Sequence, residues 1–422
     1  MDARTDSPLD VKAVAAVVLG NALEFYDFLA YSFFAKEIGD AFFPSGSDTG
    51  RLLSALLVFW IGFFSRPVGA VVLGAFADKA GRKPAMILTI ALMAAGMLII
   101  AATPTFKTIG WAAPALVVVG RLVQGFALGG EVGPSTAYLV EAAAPSQRGL
   151  MASWQLASQG VAQLLAGGVG IVLAFALGGE AMHAWGWRIP FVLGVLIVPV
   201  GLVIRNHLPE TAEPDDSQSI GEVLGTLSGS HARLLVAGFL MIMASTVATY
   251  AGINMPTYAQ TTLGLSLKIS AAVTVALGVS SIVFSLAGGW LADRIGRRPL
   301  MIYPRFAVAL VAVPAFAWIV HEPSAASIIT VTVAISILTN FASAGSIAGI
   351  PEALPRSVRS AGLSVAYALA VTVFGGSTQW VINKLIAVTG DKLAPAYYLA
   401  ATGLIGALAA FVMPETRGRE ID

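Results

Sequence analysis

An all-α integral membrane protein, with twelve transmembrane helices in two six-helix halves, is the fold class this sequence predicts, and three observations predict it. Of its 422 residues, 57% are hydrophobic and only 12% charged, with a mean hydropathy of +0.80, whereas an average soluble domain carries roughly 25% charged residues. The apolar residues fall into about a dozen runs near the ~20 residues that a helix needs to cross hydrocarbon. Finally, the chain echoes itself: "GAFADKAGRKP" (74–84) and "GWLADRIGRRP" (289–299) agree at Gly, Ala, Asp, Gly, Arg and Pro, and "YLVEAAAPSQRG" (138–149) is answered by "GIPEALPRSVRS" (349–360). A transmembrane barrel would alternate apolar and polar residues over about ten positions, a pattern this chain does not show.

In order, the spans are expected at 12–34, 52–76, 85–103, 112–141, 149–177, 188–206, 231–262, 269–292, 300–319, 325–354, 360–388 and 395–413. "MDARTDSPLDVK" is too polar for a signal peptide, so the first apolar run reads as the first span. The Pro-, Ser- and acid-rich stretch 207–230 reads as a cytoplasmic linker between halves at 1–206 and 231–422. Parallel repeats of this kind imply a site near the midplane between the halves. With both termini cytoplasmic, fifteen Lys/Arg fall on that side and seven on the other, as the positive-inside rule requires. No Cys is present and the four His lie near span ends, which excludes thiolate metal sites and suggests no metal or haem. Net charge +1 gives no reason to expect nucleic acid as a partner; the lipid bilayer is the expected one, and a monomer is expected.

The first span carries the sharpest anomaly. Asn21, Glu24, Asp27, Phe28 and Tyr31 share about a third of the helical circumference. A carboxylate at the bilayer centre costs at least about 2.5 kcal/mol, so such acids face a cavity, pair, or take up a proton. Glu24 and Asp27 are therefore either proton carriers or fixed partners of buried Arg.

Arg66 in "FFSRPVG" and Arg121 in "VVVGRLVQGF" are the deep cations of the first half. Each needs an anion, supplied by an acid of the chain or by substrate, and bidentate geometry suits an organic acid. Gln124 lies one turn from Arg121, and Glu131 lies ~15 Å further along the helix, either as a second titrating group or in helix packing. Gln155, Gln159 and Gln163 form one stripe on the fifth span, lining a cavity or bonding to neighbouring helices. In the second half Tyr250, Asn254 and Tyr258 recur every fourth residue, and Asn340, Tyr367 and Gln379 add polar groups; interhelical hydrogen bonding is the competing role. Arg305 stands six residues into the ninth span and is expected to snorkel to the cytoplasmic surface.

The 74–84 loop, its echo and "GRLVQGFALGGE" (120–131) resemble the signature segments of the major facilitator superfamily. "GNALEFYDFLAY", "SWQLASQ", "WRIPF" and "LPRSVRSAGLSVAYALAVTVFGG" are similar to its metabolite:proton symporter family, and within it to the citrate and tricarballylate branch. The resemblance spans nearly the whole chain. It implies a symporter in the cell inner membrane, not an enzyme, taking up a small organic acid anion such as citrate or tricarballylate by alternating access, with protons as the coupling ion and no other cofactor. It also implies that Asp78, Gly81 and Arg82, with Asp293, Gly296 and Arg297, form loops that latch the halves and bias which side is open. The alternatives are a symporter of the same family for 2-oxoglutarate, shikimate, betaine or proline, or a passive channel or receptor. A membrane enzyme would need an acidic metal cluster or a His/Ser constellation, and the sequence offers neither.

Overall fold

A computed structural model describes residues 11–80, 82–130, 139, 143–144, 146–196, 232–354 and 366–418, and for 11–17, 20, 23–24, 71, 74–75, 77–80, 82–83, 85–86, 130 and 178 the backbone alone. The linker 207–230, Gly81 and Glu131, and the side chains of Glu24, Asp78 and Arg82, lie outside the described residues.

The described residues are mostly helical, joined by short turns, with no strand among them. The long helices are α1 (Val11–Phe33), α2 (Asp48–Ala80), α3 (Arg82–Ala102), α4 (Ala112–Ala127), α5 (Arg148–Ala176), α6 (189–196), α7 (Ala232–Thr261), α8 (Leu267–Ile295), α9 (Arg297–His321), α10 (Ala325–Ala353), α11 (Gly376–Thr389) and α12 (Ala394–Ala410). Six of the described helices are long and apolar enough to cross a membrane, namely α2 over Asp48–Ala70, α5, α7, α8, α9 and α10. Local chemistry marks their ends. Ser266 caps α8 by accepting from the Ile269 N–H, and Ser324 with Ser327 forms a capping box on α10. Gly390, at φ +70°, closes α11 in the left-handed conformation. Prolines sit inside α2, α7, α9 and α10, where packing against neighbouring helices makes them tolerable.

Several spans differ from the sequence expectation. After α1 a separate short helix, Ala35–Phe42, follows a break at Phe34, and α2 is longer at both ends than 52–76. A π-helical turn, Val371–Gly375, precedes α11. α9 starts at Arg297 rather than 300, because Glu415 accepts the N–H groups of Arg297 and Arg298 at 2.9 and 3.0 Å and so completes its first turn.

Helices α1 to α5 pack among themselves, chiefly α2 and α3 on α4 and α1 on α5. The later helices do the same, with α8 and α9 on α10 and both α7 and α9 on α12. The two groups meet most extensively through α5 and α8, and also through α2 with α11 and α1 with α7. Small residues bring α5 and α8 together backbone to backbone. A Cβ on Gly149 would come 2.7 Å from the Gly289 carbonyl oxygen, and one on Gly160 would come 2.8 Å from the Ile282 nitrogen. Between α2 and the π-helical turn before α11, Trp60 Nε1 donates to the Thr372 carbonyl at 3.0 Å, and Ser32 of α1 donates to Gln379 Oε1 of α11 at 2.9 Å.

Candidate functional site

Helical spacing puts Asp27 on the face of α1 that also bears Phe28 and Tyr31, and that face is sealed: the three are 0%, 2% and 0% exposed. Opposite stand Arg121 and Gln124 of α4, both 0% exposed. α4 approaches α2 closely because Gly62 faces Arg121, where an added Cβ would lie 3.0 Å from the Arg121 carbonyl oxygen. Gln124 bridges the charges, donating through Nε2 to Asp27 Oδ1 at 2.7 Å and accepting from Arg121 Nη1 at 2.9 Å. Arg121 Nη1 is 3.6 Å from Asp27 Oδ2, close enough to attract but too far to hydrogen-bond. Asp27 Oδ2 and the Arg121 Nε and Nη2 atoms accordingly have no hydrogen-bond partner. This ion pair is loose, with unused capacity on both partners.

The ring of Phe28 joins the two deep cations. Arg121 Cζ lies 4.3 Å from its centroid and Arg66 Cζ 4.5 Å. Phe63 adds a second face to Arg66 at 4.1 Å, while Tyr31 and Phe59 flank Arg121 at 4.6 and 5.0 Å. Aromatic faces attract a cation without neutralising it, so these ring contacts leave the charge of Arg66 and Arg121 to be met by an anion, which for Arg121 is Asp27. Arg66 also has the Tyr250 and Tyr367 hydroxyls beside it, and both tyrosines line a cavity between the helix groups together with Phe25, Gln159, Ser245 and Ser346. A second cavity is lined by Gln159, Gln163, Thr249, Thr332, Ser336 and Asn340 among others.

Other expected site residues make hydrogen bonds within and between the helices. Gln155 donates to Asn21 Oδ1 at 3.1 Å, and Asn21 also bonds Ser158, so this pair ties α1 to α5. Gln163 accepts from Ser281 at 3.2 Å. Asn254 accepts from Asn383 at 2.9 Å. Asn340 donates to the Ser336 carbonyl at 2.8 Å while lining the second cavity. Tyr31 donates to the Ala55 carbonyl at 3.1 Å and presents its ring, not its hydroxyl, to Arg121. Tyr258 is not brought to the cavity with Tyr250, since its hydroxyl donates to the Lys392 carbonyl at 2.8 Å between α11 and α12.

At the α8–α9 turn, Asp293 reaches across to the other helix group instead of capping the next helix. Its carboxylate accepts the Gly149 and Leu150 N–H groups at 2.9 Å each, at the positive end of α5, and it pairs with Arg297 Nη1 at 3.0 Å. Arg297 forks onto Glu352, Nε and Nη2 donating at 3.1 Å each. Gly296 takes φ +108° and leaves room for Glu415, whose carboxylate caps α9. Burial pushes the Glu415 carboxyl up, but N–H donation from Arg297, Arg417, Arg298 and Thr416 outweighs it and holds the group below its ordinary value. Sequence reading missed Glu415, since no helical periodicity links a residue beyond α12 to the start of α9.

Arg305 corrects an expectation. It does not snorkel; it is 3% exposed, with its guanidinium bonded inward to Met241, Ser245, Met301 and Ser346. The side chain turns toward α7 and α10, whose hydroxyls and carbonyls offer acceptors within reach.

The pattern of the Major Facilitator Superfamily matches residues 17–378. A citrate-proton symporter of Klebsiella pneumoniae is 38% identical over 403 residues, which are 94% of this chain and 90% of that protein. An alpha-ketoglutarate permease of Escherichia coli (strain K12) is 33% identical over 417 residues, 97% of this chain and 95% of the other. Among solved structures, the proton:xylose symporter XylE bound to 6-bromo-6-deoxy-D-glucose superposes with a TM-score of 0.76 at 18% identity, covering 97% of each chain; that likeness concerns the fold alone.

Proposed function

The chain belongs to the Major Facilitator Superfamily, and from that premise we propose that it is a proton-coupled symporter taking up a tri- or dicarboxylate such as citrate by alternating access. The multi-pass inner-membrane placement follows from the family. The observation that carries the reading is the sealed Asp27–Gln124–Arg121 network, which shares the Phe28 ring with Arg66 beside a cavity lined by both helix groups.

In this scheme the proton is the coupling ion and Asp27 its carrier. Protonation of Asp27 removes the anion that holds Arg121, leaving a cation for substrate carboxylate; deprotonation restores the pair and expels the load. Glu24, on the same helix, and Glu131 serve as further proton carriers. Arg66, Arg121, Gln124, Gln159, Tyr250 and Tyr367 contact substrate, with Asn340 at the second cavity. The rocking bodies are residues 1–206 and 231–422 joined by a linker at 207–230, both termini are cytoplasmic, and Asp293, Gly296 and Arg297 latch the cytoplasmic face as their counterparts Asp78, Gly81 and Arg82 do. The 38% identity to a citrate-proton symporter supports the substrate class, and the 33% identity to an alpha-ketoglutarate permease supports extending it to dicarboxylates.

The test uses purified protein in proteoliposomes. Citrate accumulation driven by an imposed pH gradient is expected in the unsubstituted chain and lost in Asp27→Asn, while exchange of labelled for unlabelled citrate persists in the variant. Accumulation indifferent to the pH gradient in the unsubstituted chain overturns proton coupling.

A further inference from the structure

α9 holds a third guanidinium that this scheme leaves idle. Arg305 stands eight residues, about 12 Å, from the start of its helix and is 3% exposed. Its hydrogen-bond partners are all neutral. Nη1 donates to the Met301 carbonyl at 2.6 Å; Nη2 donates to the Met241 carbonyl at 3.2 Å, to Ser245 Oγ at 2.8 Å and to Ser346 Oγ at 2.7 Å. Nε has no partner. Among the described residues no carboxylate lies within ion-pair distance of Arg305. The fold makes room for it: a Cβ on Gly406 of α12 would come 3.1 Å from Arg305 Cδ.

Charge is costly to bury in a bilayer, and an unpaired guanidinium is among the costliest groups to keep there. Carbonyls and hydroxyls share the charge without cancelling it, so an anion that approaches Arg305 gains from a field already in place. Ser245 and Ser346, both held by Nη2, line the cavity that Tyr250 and Tyr367 line beside Arg66. Ser346 directs its own proton to the Ala342 carbonyl at 2.8 Å. Ser245 is only half-buried and accepts from Arg305, and its hydroxyl proton has no acceptor among the described residues. Its O–H is therefore a polarised donor at the cavity wall.

We propose that Arg305, acting directly and through the Ser245 and Ser346 hydroxyls, is a third cationic subsite that fits this cavity to tricarboxylates over dicarboxylates. The inference rests on the carboxylate reading above and deepens it. Arg66 and, once Asp27 is protonated, Arg121 offer two cations from the first helix group; Arg305 offers the third from the second group. A trianion thereby meets one guanidinium per carboxylate, whereas a dianion leaves Arg305 unsatisfied.

The test compares citrate and succinate as competitors of labelled citrate in proteoliposomes of the full chain carrying Arg305→Gln, Arg305→Lys or Ser245→Ala. Arg305→Gln is expected to weaken citrate at least about 10-fold, the scale of a charge-assisted hydrogen bond lost, with succinate affinity nearly unchanged. Lysine restores part of the citrate preference, and Ser245→Ala, which leaves Arg305 in place, shows a smaller loss in the same direction. Equal losses for both acids, or none, in Ser245→Ala together with whichever Arg305 variants fold overturn the proposal. Binding of neither acid by the unsubstituted chain refutes the carboxylate reading itself and the third subsite with it. Binding of succinate at least as tightly as citrate by the unsubstituted chain leaves the carboxylate reading intact and refutes only the third subsite.

Discussion

Two guanidinium groups of like charge share one aromatic ring at the centre of this protein. Phe28 faces both Arg66 and Arg121 within 4.5 Å, and each contact is worth roughly 0.5–2 kcal/mol, more when desolvated. Phe28→Leu keeps the volume apolar but removes the π face. Weaker substrate binding and lower thermal stability are both expected, measured by competition and by thermal unfolding in detergent. Gln124 is equally exposed to test. Its amide satisfies Asp27 and Arg121 at once, so Gln124→Leu leaves two buried charged groups short of a partner, at about 1–3 kcal/mol each, and its thermal midpoint should fall well below that of the unsubstituted protein. Gly296 is the residue-scale test of the turn. Alanine there must adopt φ +108° and meet the Glu415 carboxylate, a strain on the order of 1–3 kcal/mol, again read as a lowered unfolding temperature.

Helix pairing decides which motions are available. α5 and α8 touch along their lengths through Gly149, Gly160, Gly278 and Gly289, and the Asp293 carboxylate bonded to the α5 N-terminus fastens one end. The proposed alternating access requires that end to part. The chain has no cysteine, so a Gln147→Cys, Arg294→Cys pair, at positions that line one cavity at this end, can be bridged selectively by a bifunctional thiol reagent with a reducible spacer. Bridging should stop uptake and reductant should restore it; unchanged uptake in fully bridged protein would mean that these helices need not separate. The C-terminal cap behaves differently with pH. Glu415 is held below its ordinary value in the folded state, so the unfolded chain takes up its proton first as pH falls. The cap's contribution is therefore complete above the ordinary glutamate value of 4.5 and is lost as pH falls through the depressed value. Proteolysis near Arg417 should stay slow down through pH 4.5 and accelerate only in stronger acid, whereas Glu415→Gln should be cleaved faster at neutral pH.

At the scale of the molecule, the proposed symport ties the number of protons to the load and the membrane potential. Each uncompensated charge that crosses contributes about 2.3 kcal/mol per 100 mV, so a trianion entering a negative interior with a single proton would work against the potential. More than one proton per citrate is expected, and the reversal potential of citrate flux in proteoliposomes counts them; a ratio of one or less contradicts the scheme. The sequence determined a great deal of this by itself. Apolar run length and the internal echo of 74–84 in 289–299 specify a twelve-span duplicated bundle, because crossing a bilayer leaves the backbone little choice but helix. Period 3.6 likewise places Asp27, Phe28 and Tyr31 on one face of α1. Tertiary structure alone decided the partners. That Gln124 stands between Asp27 and Arg121, that Asp293 reaches α5 while Glu415 caps α9, that Tyr258 turns away from Tyr250's cavity and that Arg305 points inward all depend on contacts between helices distant in sequence. Periodicity gives the direction in which a side chain leaves its own helix, and the group it meets there is set by how the helices pack.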